Sequence, residues 1–314
     1  MLLSVVIPVY GSSTILPVLF DRLVAALSPW TDFELIMVND HCPEGSGKVL
    51  EQLAAQEKRL KVIDFIRNYG QHTAITAGLD FARGDYAVVM DCDLQDQPEE
   101  IKKMYDHLVA GGYEAVFGVR VTRQHNLIRR FESKVFNALY RLFSQNTTKT
   151  TQNIDNFSII TRKIIESYRL FRESERLYGA VLGRILPEVG YIEVVHCSRY
   201  DGKSSYTLSK KIRLAANTII ANSNKPLIFA VYCALGAMTL SVVIGIKILV
   251  SYFMGTSVSG WTSLMLALCF FSGLQMMFLG IIGVYLGNTS TAVKHRPMYI
   301  ISKTINISEK LKNE

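Results

Sequence analysis

The first 120 residues alternate between two periods, and that alternation limits the fold more than any other feature of the chain. Runs that are apolar at nearly every position (Leu2–Val9, Phe33–Val38, Leu60–Ile66, Tyr86–Met90, Ala115–Phe117) are separated by stretches with helical spacing of apolar residues (Ser13–Leu27, Gly47–Gln56, Thr73–Ala82, Pro98–Ala110). Continuous apolar runs are strands buried on both faces, and a β-α-β-α order joins them by right-handed crossovers. The expected fold is therefore α/β, a mostly parallel, doubly wound sheet flanked by helices. In such sheets ligands gather beyond the carboxyl ends of the strands. The chain places Pro8-Val9-Tyr10, Val38-Asn39-Asp40 and Asp91-Cys92-Asp93 there. No Gly-x-Gly-x-x-Gly follows the first strand, which argues against a dinucleotide fold.

The third of these ends carries the sharpest chemistry. The apolar run through Met90 stops in Asp91-Cys92-Asp93-Leu94-Gln95-Asp96, just before Gln97-Pro98-Glu99. In an extended segment Asp91 and Asp93 share a face and can converge on one hard cation, Mg²⁺ or Mn²⁺, with Gln95 adding a neutral oxygen. The same letters also describe a solvated acidic turn leading into a helix whose first turn holds Pro98, Glu99 and Glu100. Asp40 fits either a nucleotide base or ribose contact, or a turn cap.

A sheet of this size leaves much of the 314 residues unspent. Leu227–Ile246 and Thr262–Gly287 contain no charged residue, and each meets the ~18 to 20 apolar residues needed to cross a bilayer core. Basic residues flank the pair (Lys203, Lys210, Lys211, Arg213 and Lys225 before; Lys294, His295 and Arg296 after), whereas Ser251–Trp261 between them has none. By the positive-inside rule both termini are expected in the cytoplasm. The expected organisation is a cytoplasmic catalytic domain over 1–205, an interfacial amphipathic helix over 206–225, a two-helix transmembrane hairpin over 226–290 and a cytoplasmic tail over 291–314. No cleavable signal is read in Met1–Val9, which lacks a preceding basic region. The five cysteines have no paired spacing, which suits a reducing compartment and offers no zinc site.

The net charge of +7 is concentrated in two groups, Arg120, Arg123, Arg129, Arg130, Lys134 and Arg141, and then Arg199–Arg213. Neither is interleaved with aromatics on a nucleic-acid module, so anionic lipid headgroups and phosphate substrates are the expected partners. Leu208, Ile212, Ala215 and Ile219 recur at helical spacing with Lys210, Lys211 and Arg213 off the stripe, as in a helix lying in the membrane interface. An ordinary packed helix with a solvated basic face has the same pattern.

Val5-Val6-Ile7-Pro8-Val9-Tyr10, Val38-Asn39-Asp40, Arg67-Asn68-Tyr69-Gly70, Ala77-Gly78-Leu79-Asp80-Phe81-Ala82-Arg83-Gly84-Asp85 and Asp91-Cys92-Asp93-Leu94-Gln95-Asp96 occur in the order found in family 2 glycosyltransferases of the GT-A fold. The chain most resembles the polyprenyl-phosphate type, which includes dolichol-phosphate mannose synthases and bacterial undecaprenyl-phosphate glucosyl- and aminoarabinosyl-transferases. Arg199-Tyr200-Asp201-Gly202-Lys203-Ser204-Ser205-Tyr206 and Val293-Lys294-His295-Arg296-Pro297-Met298-Tyr299 extend the likeness through the spans. The resemblance implies that Pro8, Tyr10, Asp40, Asp91 and Arg120 hold a nucleotide-sugar donor, UDP-linked by preference, and that Asp91, Asp93 and Gln95 surround the metal. It implies that Arg130 or Arg120 grips phosphate, and that Arg199, Ser204, Ser205 and Lys210 meet a polyprenyl phosphate, undecaprenyl by preference. Catalytic residues would be Asp91, Asp93, Asp155 and Arg130. The reaction would be a metal-dependent inverting transfer at the cytoplasmic face of the inner membrane, serving modification of cell-envelope glycans.

The chain also departs from the family pattern. Gly11-Ser12 replace an Asn-Glu, Gln71 a lysine and Ser205 the lysine of Ser-Lys-Tyr, while Asn288 stands where an arginine is usual. Asn156 precedes Phe157 where relatives carry an aspartate, and Asp155 is displaced by one. Transfer directly to a lipid-linked or polysaccharide acceptor stays open, as does a degenerate membrane scaffold. Trp30 and Trp261 are the only tryptophans and neither lies in the Gln-x-x-Arg-Trp segment of processive synthases. Two nearly uncharged spans offer no polar path for transport by one chain. Gly236, Ala237, Gly245 and Gly273 would permit helix packing in a homo-oligomer.

Overall fold

The computed structural model describes residues 1–120, 156–172, 177–186, 188–195, 225–254, 260–294 and 296–307. They fall into two units, one built on a sheet and the other on two long helices.

The sheet unit runs β1 (Leu2–Val9), α1 (Leu16–Leu27), β2 (Asp32–Asn39), α2 (Ser46–Gln56), β3 (Leu60–Phe65), α3 (Gln71–Phe81), β4 (Tyr86–Val89), α4 (Glu100–Gly111), β5 (Ala115–Arg120), β6 (Ser158–Thr161), α5 (Arg162–Leu170), α6 (Tyr178–Ile185), β7 (Gly190–Val194) and, far along the chain, β8 (Ile301–Ile305). Their order in the sheet is β7-β5-β6-β4-β1-β2-β3-β8. β1 pairs in parallel with β2 and β4, β2 with β3, and β5 with β7. β6 lies antiparallel between β4 and β5, and β8 antiparallel along β3. The α/β sheet is thus mixed, with its parallel centre where the periodicity put it.

The central strands are apolar at consecutive positions because both faces are covered. Leu3, Val5, Ile7 and Val9 point to a cluster with Leu16, Leu19, Leu23 and Leu27 of α1. Val6, Ile36, Val38 and Ile63 point the other way, to Ala74, Ile75 and Leu79 of α3. Successive side chains alternate faces, so each strand feeds two layers.

The ends of β4, β1 and β2 lie side by side, and β1 begins to part from β4 at Pro8. The carbonyl of Val6 accepts from Met90 N–H at 3.2 Å, just past the last β1–β4 pair. Pro8, two residues on, faces the same side, where its missing N–H interrupts no ladder bond. The β1–β4 pairing ends at Val6–Val89, and the Asp91–Asp96 segment follows directly.

The second unit contains α7 (Lys225–Phe253) and α8 (Trp261–Val293), of 29 and 33 residues. Within α8, Phe270–Gly287 is long and apolar enough to cross a membrane and none of it is buried; among the described residues it is the one such stretch. The first expected span lies in α7.

Candidate active site

Five segments meet at the carboxyl end of the parallel strands, and hydrogen bonds between them hold the rim. Asp40 N–H donates to Val9 O at 3.0 Å. Gly11 N–H and Ser46 Oγ donate to Cys42 Sγ at 3.2 and 3.1 Å, and Cys92 Sγ donates to Ser12 Oγ at 3.3 Å. The loops after β1, β2 and β4 are therefore laced together.

Each strand-end turn also reverses through one left-handed residue: Gly11 (φ 68°), His41 (φ 53°), Gly70 (φ 92°) and Leu94 (φ 57°). Glycine adopts such angles freely, whereas His41 and Leu94 do not. Those two follow Asp40 and Asp93 directly. Strain of this kind persists where surrounding contacts over-determine the backbone, and it clusters at ligand sites.

Asp40 is buried, and its carboxylate accepts from the backbone N–H groups of Tyr69 (2.6 Å) and Gly70 (2.8 Å). Asn68 Nδ2 donates to its carbonyl at 3.3 Å. These bonds make Asp40 the cap of the 67–70 segment that leads into α3. Burial pushes its carboxyl above the ordinary range, opposed by the two backbone donors and by nearby His41. Tyr10 is exposed on the rim and Pro8 is buried in β1. Arg67 lies over the Tyr69 ring, 4.7 Å from its centre.

Asp91 and Asp93, both half-buried, lie in the segment that follows β4. Asp93 Oδ1 accepts from Gln95 N–H at 3.1 Å, a tight local turn. Asp91 N–H donates to the buried Asp96 at 3.5 Å, so the third carboxylate of the run serves the loop itself. Asp91 Oδ1 accepts from Gln71 Nε2 (2.6 Å) and Asn156 Nδ2 (3.4 Å). Gln97 and Glu99 belong to the scaffold, both engaged by Arg22 of α1.

Among the described residues no group of three or more His, Cys, Asp or Glu converges as a metal cage. Two carboxylates and an amide, Asp91, Asp93 and Gln95, are nevertheless all hard oxygen donors, and they suit Mg²⁺ or Mn²⁺ when a ligand's phosphate oxygens complete the shell. Arg120 ends β5, with its backbone alone described. Asp155, Arg130, Arg199, Ser204, Ser205 and Lys210 lie outside the described residues, as does the expected interfacial helix up to residue 224. Gln71, Asn156, Asn68 and Cys42 were not expected at the site. The first two were visible in sequence as departures from a pattern, with nothing to say that they meet.

The chain matches the family described as glycosyl transferase family 2 over residues 4–172. It is 32% identical to the uncharacterized glycosyltransferase YkcC of Bacillus subtilis, over 98% of this chain and 95% of that one. It is also 32% identical to the undecaprenyl-phosphate 4-deoxy-4-formamido-L-arabinose transferase of Pectobacterium carotovorum, with the same coverage of 98% and 95%. Among solved structures, residues 1–349 of TarS from S. aureus, crystallised with UDP-GlcNAc, share the fold at a TM-score of 0.50, 15% identity and coverage of 71% of this chain and 68% of that one.

Proposed function

We propose the following reaction for a chain that belongs to glycosyl transferase family 2: inverting transfer of one sugar from a nucleoside-diphosphate sugar, UDP-linked by preference, to the phosphate of undecaprenyl phosphate. The observation that carries the reading is the pair Asp91 and Asp93 just past the end of β4, in a chain colinear over nearly its whole length with a transferase named for undecaprenyl phosphate.

An acceptor phosphate oxygen forms a bond to the anomeric carbon while the bond from that carbon to the diphosphate breaks, its electrons leaving with the nucleotide. A phosphate monoester is largely dianionic at neutral pH, its second pKa being about 6, so positioning matters more than deprotonation. Asn156, a neutral amide beside Asp91, is compatible with such an acceptor. Asp91, Asp93 and Gln95 would hold the divalent cation, whose charge stabilises the departing diphosphate. Tyr10 and the segment pinned by Asp40 would receive the nucleotide, with Arg120 and Arg130 on phosphate. Asp155 remains a catalytic candidate. Arg199, Ser204, Ser205 and Lys210 would take the lipid phosphate. Both α7 and α8 would span the cytoplasmic membrane, with the sheet unit in the cytoplasm and the product used in cell-envelope glycans.

The test is to incubate the purified protein with Mg²⁺ or Mn²⁺, undecaprenyl phosphate and radiolabelled UDP- and GDP-sugars, and to count label extracted into organic solvent. Label requiring both metal and lipid phosphate is the expected result; label on a water-soluble glycan instead would reassign the acceptor. Asp93→Ala should lower transfer by roughly a hundredfold or more while leaving membrane insertion intact.

A further inference from the structure

Leu94 sits between two of the residues that would hold the cation, Asp93 and Gln95, and its backbone is left-handed (φ 57°). A side chain makes that conformation costly. Glycine would relieve the cost, but the Leu94 side chain is buried in the same apolar cluster as Ile101 and Met104 of α4. The turn is therefore kept at a residue that resists it, and surrounding contacts must hold it there.

The Leu94–Gln95 peptide is held at both ends. Its carbonyl accepts from Gln97 Nε2 at 2.9 Å, and its N–H donates to Asp93 Oδ1 at 3.1 Å. In a planar trans peptide these two groups point in opposite directions, so fixing the carbonyl aims the N–H at the carboxylate. The Gln97 amide is itself set by α1. Arg22 Nη2 donates to Gln97 Oε1, and the same guanidinium grips both oxygens of Glu99, at 3.0 and 2.6 Å. Because an arginine only donates, it selects the Gln97 oxygen and turns the amide N–H toward Leu94. α4 draws on Gln97 through its main chain, whose carbonyl accepts from Glu100 N–H at 3.1 Å. The side chain thus serves the loop rather than the helix. Glutamate at this position would keep the partner on α1 and lose the donor to Leu94, so the two bonds together require an amide.

We propose that Gln97 is a positioning residue for the metal loop: anchored by Arg22, it holds the Leu94–Gln95 peptide so that the N–H of Gln95 sets the orientation in which Asp93 meets the divalent cation. The proposal rests on the cation site given above.

The experiment measures the affinity of the full-length protein in detergent for UDP and for GDP by calorimetry, once with Mn²⁺ and once with EDTA, together with its melting temperature. Gln97→Glu should lower nucleotide affinity about tenfold or more with Mn²⁺ and leave the EDTA value unchanged, at an unaltered melting temperature because the contact with Arg22 is kept. Gln97→Met, of similar length but without the amide donor, should lose the same Mn²⁺-dependent affinity. Full affinity of either variant with Mn²⁺ would overturn the proposal, as would equal losses with Mn²⁺ and with EDTA, the mark of a general scaffold residue. Unmodified protein that binds nucleotide no better with Mn²⁺ than with EDTA would instead overturn the cation site, and the purpose of Gln97 with it.

Discussion

Cys42 and Cys92 contact neighbouring residues of one loop, Gly11 and Ser12, with opposite chemistry. For Cys42, burial pushes the thiol up, but donors from Ser46, Gly11 and the backbone of Glu44 outweigh it and hold it below its ordinary value. Burial dominates at Cys92 and pushes its thiol up. Thiolate is the reactive form, so iodoacetamide at pH 8 should label Cys42 well before Cys92, read by peptide mapping, and bound nucleotide should slow it. His72 gives a second test. Burial holds its imidazole below the ordinary value, and Nδ1 accepts from Tyr178 N–H at 3.5 Å, as a neutral ring can. Because the folded value lies below the unfolded one, this contribution to stability is present above about pH 6.5 and is lost as pH falls through it. The melting temperature of His72→Gln should therefore fall less steeply between pH 7 and 5 than that of the unmodified protein. Asp40 acts with the opposite sign at lower pH, since burial raises its folded value and protonation relieves the cost of burying the charge.

At the scale of elements, the turn between α3 and β4 shows how little room the sheet leaves. A Cβ at Gly84 would lie 2.6 Å from Tyr86 O and 2.7 Å from both Leu2 O and Ser4 N. These are backbone atoms of paired strands and cannot step aside. Gly84→Ala should therefore cost roughly 2 to 3 kcal/mol in unfolding experiments. The nine elements up to β5 were legible because each repeats a period long enough to read, and their observed ends differ from the expected ones by a few residues at most. β6 was not: Ser158–Thr161 is four residues long, and nothing local says that it inserts antiparallel between β4 and β5. β8 does alternate, Ile301-Ser-Lys-Thr-Ile305, but its partner is set by a contact some 240 residues away in sequence, which local pattern cannot supply. The carboxylates of the site were legible by the same logic, as polar residues abruptly ending apolar runs. Their amide partners were not, because Gln71 and Asn156 acquire meaning only where α3 and β6 come together.

For the whole molecule, the return of the chain to the sheet after α8 is the organising fact. β8 covers the open edge of β3, Tyr299 stacks on Phe65 with ring centres 5.3 Å apart, and its hydroxyl donates to Asp80 at 2.7 Å, beside Arg172. The two long helices are thus an insertion within the sheet domain. A chain ended ahead of residue 297 should expose the β3 edge and aggregate at concentrations where the full protein does not, as light scattering would show. Adding residues 297–307 back through a flexible linker, without the helices, should restore a soluble sheet.

That same return sets the order of events during synthesis. The strand that pairs with β3 leaves the ribosome after both apolar helices, so β3 waits for its outer neighbour for roughly 10 to 50 s at about 5 to 20 residues per second. Throughout that interval the half-made protein carries an open strand edge, and whatever receives the helices as they emerge also decides how soon that edge is closed.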